Sequence, residues 1–339
     1  MLPLRFALFG TGFWSPFQLA AWRELPGVEC VALYNRTRHK AEALAAEFGI
    51  PAVYDDAASL MAEERPDFVD IITDPGTHRQ FVEMALARGL PVICQKPMAP
   101  TLADARAMVA AGRQAGVPLL IHENWRWQSP MRALKAVLES GAIGCPFRAR
   151  IDFVTSFPVF ENQPFLTELE QFILTDIGTH VLDCARFLFG EAQRLHATTR
   201  RVNQQIRGED VATVMTTHGD CTVVTNMSYA SRTEHEKFPE TFLMVEGTEG
   251  SAEISRGCML SVTTRTGTVR REVPPPFYHW ADPAYALVHA GMVDCQRNLL
   301  ERLRGNGTAE TTAADNLRTL DLVFAAYDSA AHGQTVMLQ

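Results

Sequence analysis

Short apolar runs alternate with amphipathic stretches over the first 123 residues. Phe6 to Phe9 lead straight into Gly10-Thr11-Gly12, and a helix is expected to begin near Ser15 or Pro16. An amphipathic stretch over 16 to 25 ends at Pro26-Gly27, and a second strand follows from Glu29 to Tyr34. Helices are expected over 38 to 48, closed by Gly49, and over 56 to 64, stopping before Pro66. The run FVDIITDP reads as a buried strand that delivers Asp74-Pro75 to a helix carrying Phe81, Met84, Ala85 and Leu86 at helical spacing. PVICQK then brings Gln95-Lys96-Pro97 to a sheet edge. Thr101 caps a helix over 101 to 115, with Asp104 three residues on, and PLLIHEN closes the unit. Strand and helix alternating at this spacing predict a parallel sheet with helices on both faces, over residues 1 to 123.

The pattern changes after residue 123. A helix from about Pro130 to Ser140 leads into the strand-like GAIGCPFRARIDFVT. Further strand character appears over 192–202, 211–218, 221–229, 241–246 and 251–255, and Thr, Val and Arg alternate along 260–273. Such alternation suits a sheet with one wet face. Helices over 284–303 and 311–331 finish the chain. Residues 124 to 339 are therefore expected to form an α+β domain on an open, mostly antiparallel sheet. Small-molecule sites concentrate where two such domains meet.

Candidate chemistry begins at the first strand's end. A buried parallel strand that turns on glycines into a helix N-terminus is how a doubly wound (Rossmann) sheet holds a dinucleotide pyrophosphate. Gly10 suits the tight turn, Gly12 lets the backbone approach phosphates without a Cβ, and Ser15 stands at the third fingerprint position in place of glycine. The helix amides would face the phosphate charge. The plainer alternative is an ordinary glycine turn. At the end of the second strand, Asn35 is placed to bond a ribose hydroxyl, and Arg36 to stack on adenine or pair with a phosphate. That pair does not settle NAD against NADP. Lys96 lies on the ligand-binding edge of the sheet, with Pro97 fixing the backbone beside it. Asp176 and His180 are four apart and share one helix face, with Asp176 as an alternative N-cap.

The overall balance narrows the partners. Lys+Arg 31 against Asp+Glu 39 gives a net charge of −8, which argues against a broad nucleic-acid surface and does not favour an anionic membrane. No apolar run approaches a membrane span, and the N-terminus lacks the pattern of a secretory leader. Seven cysteines without a CxxC pair suit a reducing cytoplasm. A catalytic metal is not expected, because Asp176, His180 and Asp183 lack the support of an HExxH or cysteine cluster.

The ordered set GTGFWS, ITDPGTH, QKP, ENWRWQ, SGAIG and DIGTHVLD, with the tail DNLRTLDLVFAAYDSAAHG, resembles the Gfo/Idh/MocA oxidoreductases. The likeness covers nearly the whole chain. It implies nicotinamide-dependent oxidation of a sugar or polyol at the junction of the two domains. An aldose, a branched pentose included, would react at its anomeric carbon and leave as the lactone. The family's E-K-P motif corresponds to Gln95-Lys96-Pro97, and its Asp and His to Asp176 and His180. Lys96 would hold the reacting hydroxyl, His180 would be the general base, and Asp176 would orient substrate. Phe13, Trp14, Asp74, Pro75, His78, Asn124, Trp125 and Arg126 fall at positions the resemblance implies for the cofactor, with Arg126 also near substrate.

Two departures stand out. Gln95 replaces the family's usual Glu, and EQFIL replaces a glycine-rich turn upstream of Asp176. Phe157, Phe160 and Phe165 are candidates to shape a sugar pocket, Phe160 first, or to pack in the core. An inositol or other polyol dehydrogenase, a member that uses internal redox with retained cofactor, and a non-catalytic dinucleotide or sugar sensor are the competing readings. The open second sheet is expected to support a homodimer or homotetramer.

Overall fold

The computed structural model describes residues 2–234 and 238–338. Two compact units emerge, and they are not contiguous in sequence. The first comprises 1–123 with 292–318, and the second 124–291 with 319–339. The sequence reading had the second domain running unbroken from 124 to 339. Residues 292–318 instead group with the first unit because they cover its edge strand.

In the first unit six parallel strands take the order β3-β2-β1-β4-β5-β6. They are β1 Leu4–Phe9, β2 Val28–Tyr34, β3 Ala52–Tyr54, β4 Phe68–Ile71, β5 Val92–Gln95 and β6 Leu119–His122. The short β3 went unread in the sequence. The helices α1 Ser15–Arg23, α2 Arg38–Phe48, α3 Ala57–Glu64, α4 Pro75–Leu86 and α5 Leu102–Ala115 supply the connections. Phe6 to Phe9 and all of β4 are buried, as expected of strands covered on both faces. Phe6 stacks on Phe68, and Trp22 from α1 packs against both rings. Thr101 caps α5 by accepting from the Asp104 N–H. At the outer edge, the Ile121 N–H donates to the Thr311 carbonyl and the Thr311 hydroxyl donates back to the Ile121 carbonyl. This pairing satisfies backbone groups that an open edge would leave exposed.

The second unit holds a nine-stranded sheet of order β14-β13-β12-β11-β7-β10-β9-β8-β15. Helix α6 Ser129–Glu139 precedes β7 Pro146–Val154, the single turn α7 Val159–Asn162 follows, and α8 covers Thr179–Phe189. The remaining strands are β8 Arg194–Arg200, β9 Val211–His218, β10 Cys221–Ser228, β11 Phe242–Gly247 and β12 Gly250–Ser255. The alternating stretch 260–273 forms two strands, β13 Met259–Thr264 and β14 Gly267–Glu272, folded back on each other. β15 Val336–Met337 adds an edge. Every pairing is antiparallel except β7 with β10, which makes the sheet mixed but mostly antiparallel. Helices α9 Ala286–Leu303 and α10 Ala313–His332 are each divided between the two units. One sheet face is packed with Ala149, Ile151, Phe153, Val214, Val223 and Val245, against Val181, Leu182 and Ala185 of α8. Among the described residues no helix is long and apolar enough to cross a membrane.

Candidate active site

The glycine turn is built for close approach. Gly10 has φ +104°, and a Cβ there would sit 2.7 Å from the Ile72 carbonyl oxygen, so only glycine fits. Gly12 faces open space instead, with nothing within 4 Å of its would-be Cβ. Its value is room for a ligand against bare backbone. Ser15 is buried, and its hydroxyl donates to the Gly10 carbonyl at 3.1 Å. The serine thus ties helix α1 to the turn. This cradle fits a dinucleotide pyrophosphate. Phe13 and Trp14 follow it as half-buried rings packed edge to face, 5.0 Å between centroids. At the end of β2, Asn35 donates from Nδ2 to the Thr37 carbonyl, while Arg36 is exposed.

The opposite side of that edge is organised around Lys96. Asp74 caps α4 by accepting from the Gly76 N–H, with Pro75 at the first helical turn. His78 is buried between the Thr73 carbonyl (3.1 Å from Nε2) and the Pro97 and Met98 carbonyls (3.1 and 3.2 Å from Nδ1). Burial holds its pKa below the usual histidine value, so the neutral ring is favoured. Whichever nitrogen carries the proton, His78 packs the turn after β4 against the Lys96–Pro97 turn. Gln95 is the last residue of β5, and its Oε1 accepts from the Lys96 N–H at 2.8 Å.

Gln95 is held in turn by residues that the sequence reading passed over. Its Nε2 donates to Gln18 Oε1 at 3.0 Å. Gln18 Nε2 donates to both Asp70 oxygens at 2.8 Å, and Trp22 Nε1 donates to Asp70 Oδ2 at 2.7 Å. Asp70 is fully buried, and burial pushes its carboxyl up to about 6, against the pull of these donors. A carboxylate inside an otherwise apolar buried strand was the signal for it.

In the second unit, Trp125 and His180 stack, ring centroids 4.5 Å apart and planes 4° from parallel. Trp125 packs on Phe153 of the core, so the imidazole rests on a fixed aromatic wall. Asp176 does not cap a helix. It lies inside a π-helical turn, Leu174–Gly178, whose preceding residue Ile173 is already helical. That turn runs directly into α8, which carries His180. Tyr229 donates from its hydroxyl to Asp176 Oδ2 at 3.3 Å, and burial together with the nearby Asp176 charge raises its pKa, keeping the proton on the phenol.

The approach to the π-turn is clamped by Glu209. Its two oxygens accept from the Phe172 and Leu174 N–H groups, each at 3.2 Å, and Oε1 also accepts from the Tyr327 hydroxyl at 2.6 Å. Its backbone carbonyl accepts from the Ile173 N–H. Nothing local in EQFIL announces this, because the partner lies more than thirty residues away.

Three further candidates carry contacts within the protein. Arg126 spends its Nε and Nη2 edge on Asp183, at 2.7 and 2.6 Å, in a buried bidentate pair that also receives the Thr319 hydroxyl. On that edge the residue forms an internal ion pair with Asp183. Asn124 is buried and donates to the Val288 carbonyl. Phe160 packs on Phe172 and Phe157 stacks on Phe238, both partly buried against the core, whereas Phe165 is half exposed. No group of three metal-ligating side chains occurs among the described residues.

Comparison with known proteins agrees with this architecture. Residues 4–123 match the oxidoreductase family of NAD-binding Rossmann fold, and residues 131–253 match the GFO/IDH/MocA C-terminal domain. The chain is 47% identical to a D-apiose dehydrogenase of Paraburkholderia graminis, over 98% of this chain and 89% of that protein. It is 44% identical to a D-apiose dehydrogenase of Rhizobium rhizogenes, over 99% and 98%. An oxidoreductase from Agrobacterium radiobacter, solved in complex with NAD+, L-tartaric acid and magnesium, superposes with a TM-score of 0.97 at 44% identity, over 98% of both chains. With both of its domains matched, the chain belongs to the Gfo/Idh/MocA oxidoreductase family.

Proposed function

We propose that the protein is an NAD-dependent dehydrogenase that oxidises D-apiose, or a closely similar aldose, at the anomeric carbon to give the lactone. The observation that carries this reading is identity of 44–47% to two D-apiose dehydrogenases over nearly the whole chain. NAD is preferred over NADP because the 44%-identical Agrobacterium structure holds NAD+.

Gly10, Gly12 and the start of α1 would hold the pyrophosphate, Asn35 the adenosine ribose, and the turn around Asp74 and Gln95 the nicotinamide end. Bound NAD supplies the acceptor for the hydride that leaves the anomeric carbon. Lys96 holds the anomeric hydroxyl oxygen and stabilises negative charge as it develops there. His180 takes the hydroxyl proton while the C–H bond breaks and the C=O bond forms. Trp125 limits the imidazole to one plane, which favours a single direction of proton transfer. Asp176, steadied by Tyr229, accepts from neighbouring sugar hydroxyls. None of the seven cysteines forms a disulfide, which supports a cytoplasmic setting. Exposed Phe147, Met215 and Val269 on the second sheet support self-association there.

The test follows absorbance at 340 nm with NAD and NADP in parallel, against D-apiose, common aldoses and inositols. Reduction of NAD with D-apiose, and a lactone identified by NMR, is the expected result. Turnover restricted to inositols would overturn the substrate, and a bound cofactor with no turnover on any sugar would favour a sensor.

A further inference from the structure

We propose that Asp70 and Gln18 are positioning residues that act on Lys96 through Gln95, by a string of hydrogen bonds with a single allowed direction. This rests on the reading of Lys96 as the residue that holds the reacting hydroxyl.

The direction follows from the two ends. At one end the Asp70 carboxylate only accepts, and at the other the Lys96 backbone N–H only donates. Gln18 must therefore turn its NH2 to Asp70, which leaves its carbonyl oxygen for Gln95. Gln95 must then turn its NH2 to Gln18 and its carbonyl oxygen to Lys96. Reversing either amide sets donor against donor or acceptor against acceptor. Amide orientation, often ambiguous, is here decided by fixed partners. Trp22 holds the carboxylate from a second side, and Gln18 and Asp70 are both fully buried, so the far end of the string has little freedom. Each bond polarises the next in a low-dielectric interior.

The string also accounts for Gln95 where the family's motif has Glu. A carboxylate at 95 would offer only acceptors to the Gln18 carbonyl, and turning Gln18 round would move the same conflict onto Asp70. An amide is the side chain that completes the series between a buried carboxylate and a backbone N–H.

Because the claim concerns order of donors and acceptors, it is tested by exchanging them. Asp70→Asn and Gln18→Glu each break the series. Together they restore it: Trp22 donates to the Asn oxygen, the Asn NH2 donates to the Glu, and Gln95 still finds an acceptor. Each single change is expected to lower kcat by about tenfold or more, with the Kd for NAD within about twofold, and the pair to recover kcat to within about threefold. Gln95→Met, at a half-buried position, cuts the link. It should lower kcat similarly and make kcat insensitive to further change at 70 and 18, although Tm still responds to them. A merely structural role would move Tm alone, or be additive with Gln95→Met. Wild-type kcat in Gln95→Met, or a double swap that recovers Tm without kcat, overturns the string. Lys96→Met is measured alongside. If it is active, the reading of Lys96 fails and the inference with it; if it is inactive while the string variants keep kcat, only the inference fails.

Discussion

Lys96 stands at the end of a regular parallel strand, one residue beyond β5, whereas Asp176 stands inside a π-turn and His180 at the start of the helix that follows it. The first position is set by sheet register, by His78 wedged behind the turn, and by uncharged amides anchored on one buried carboxylate. The second is set by a carboxylate clamp: Glu209 gathers two backbone N–H groups and the Tyr327 hydroxyl around a segment whose own hydrogen-bond ladder is irregular. A regular element fixes a side chain through local repetition. An irregular one needs a partner from far along the chain to satisfy the groups its ladder leaves over. The two residues, one in each unit, are held by quite different means.

The largest effect is expected at the two residues proposed to act on the substrate. Lys96→Met and His180→Ala should each cut kcat by roughly two to four orders of magnitude, with far-ultraviolet circular dichroism unchanged. Near-wild-type turnover in one variant alone would mean that the chemistry sits in only one half.

Next in size is the buried anchor of the lysine half. Burial pushes Asp70 up to about 6 from an ordinary 3.8. Between these values the folded protein keeps a proton that the unfolded chain has released, so the Asp70 contribution to stability rises as pH falls through the window and is complete below about 4. The change is on the order of 2–3 kcal/mol. The Cys30 and Cys94 thiols that flank it are pushed up by burial and stay neutral throughout. Urea unfolding of the wild type and Asp70→Asn at pH 7.5 and 4.5 isolates the effect. The wild type should gain on the variant at the lower pH, and a constant difference would remove Asp70 as a strained charge.

The histidine half should respond to charge at the clamp. Glu209→Gln keeps the shape but turns an NH2 towards one backbone N–H, at a cost of about 1–3 kcal/mol in stability. Loss of order in the π-turn should lower kcat by about tenfold as well. Tyr327→Phe removes one bond and should cost only about 0.5–1.5 kcal/mol. Equal effects of the two variants in unfolding experiments would show that the backbone bonds contribute nothing.

The same contrast governs what the sequence disclosed. Continuous burial of β1 and β4, the Gly10–Gly12 turn and the strand–helix rhythm are local patterns, and each is legible in a few adjacent residues. The spacing of Asp176 and His180 was legible too, but the π-turn was not, because it depends on Glu209 and Tyr327 meeting Phe172 and Leu174. Gln18 looked like one polar residue on an amphipathic helix. Only the fold brings it to Asp70, fifty-two positions away. The pairing of Arg126 with Asp183 was hidden for the same reason, since either charge alone reads as a ligand contact.

A change at the end of β2 tests whether the regular half also sets cofactor choice. Asn35 closes β2 on the sheet's ligand edge, its backbone N–H donating to the Tyr54 carbonyl and its side chain to the Thr37 carbonyl. Its amide can bond a ribose hydroxyl without repelling a 2′-phosphate. Asn35→Asp keeps an acceptor there but adds a negative charge, so the ratio of kcat/KM for NAD over NADP should rise by roughly tenfold, or about 1.4 kcal/mol. Asn35→Ser, which shortens the side chain without adding charge, separates the electrostatic contribution from loss of the Thr37 bond. If serine shifts the ratio as far as aspartate does, packing of the turn rather than charge selects the cofactor. If neither moves it, the ribose does not lie at the end of β2, and selection passes to another part of the strand edge.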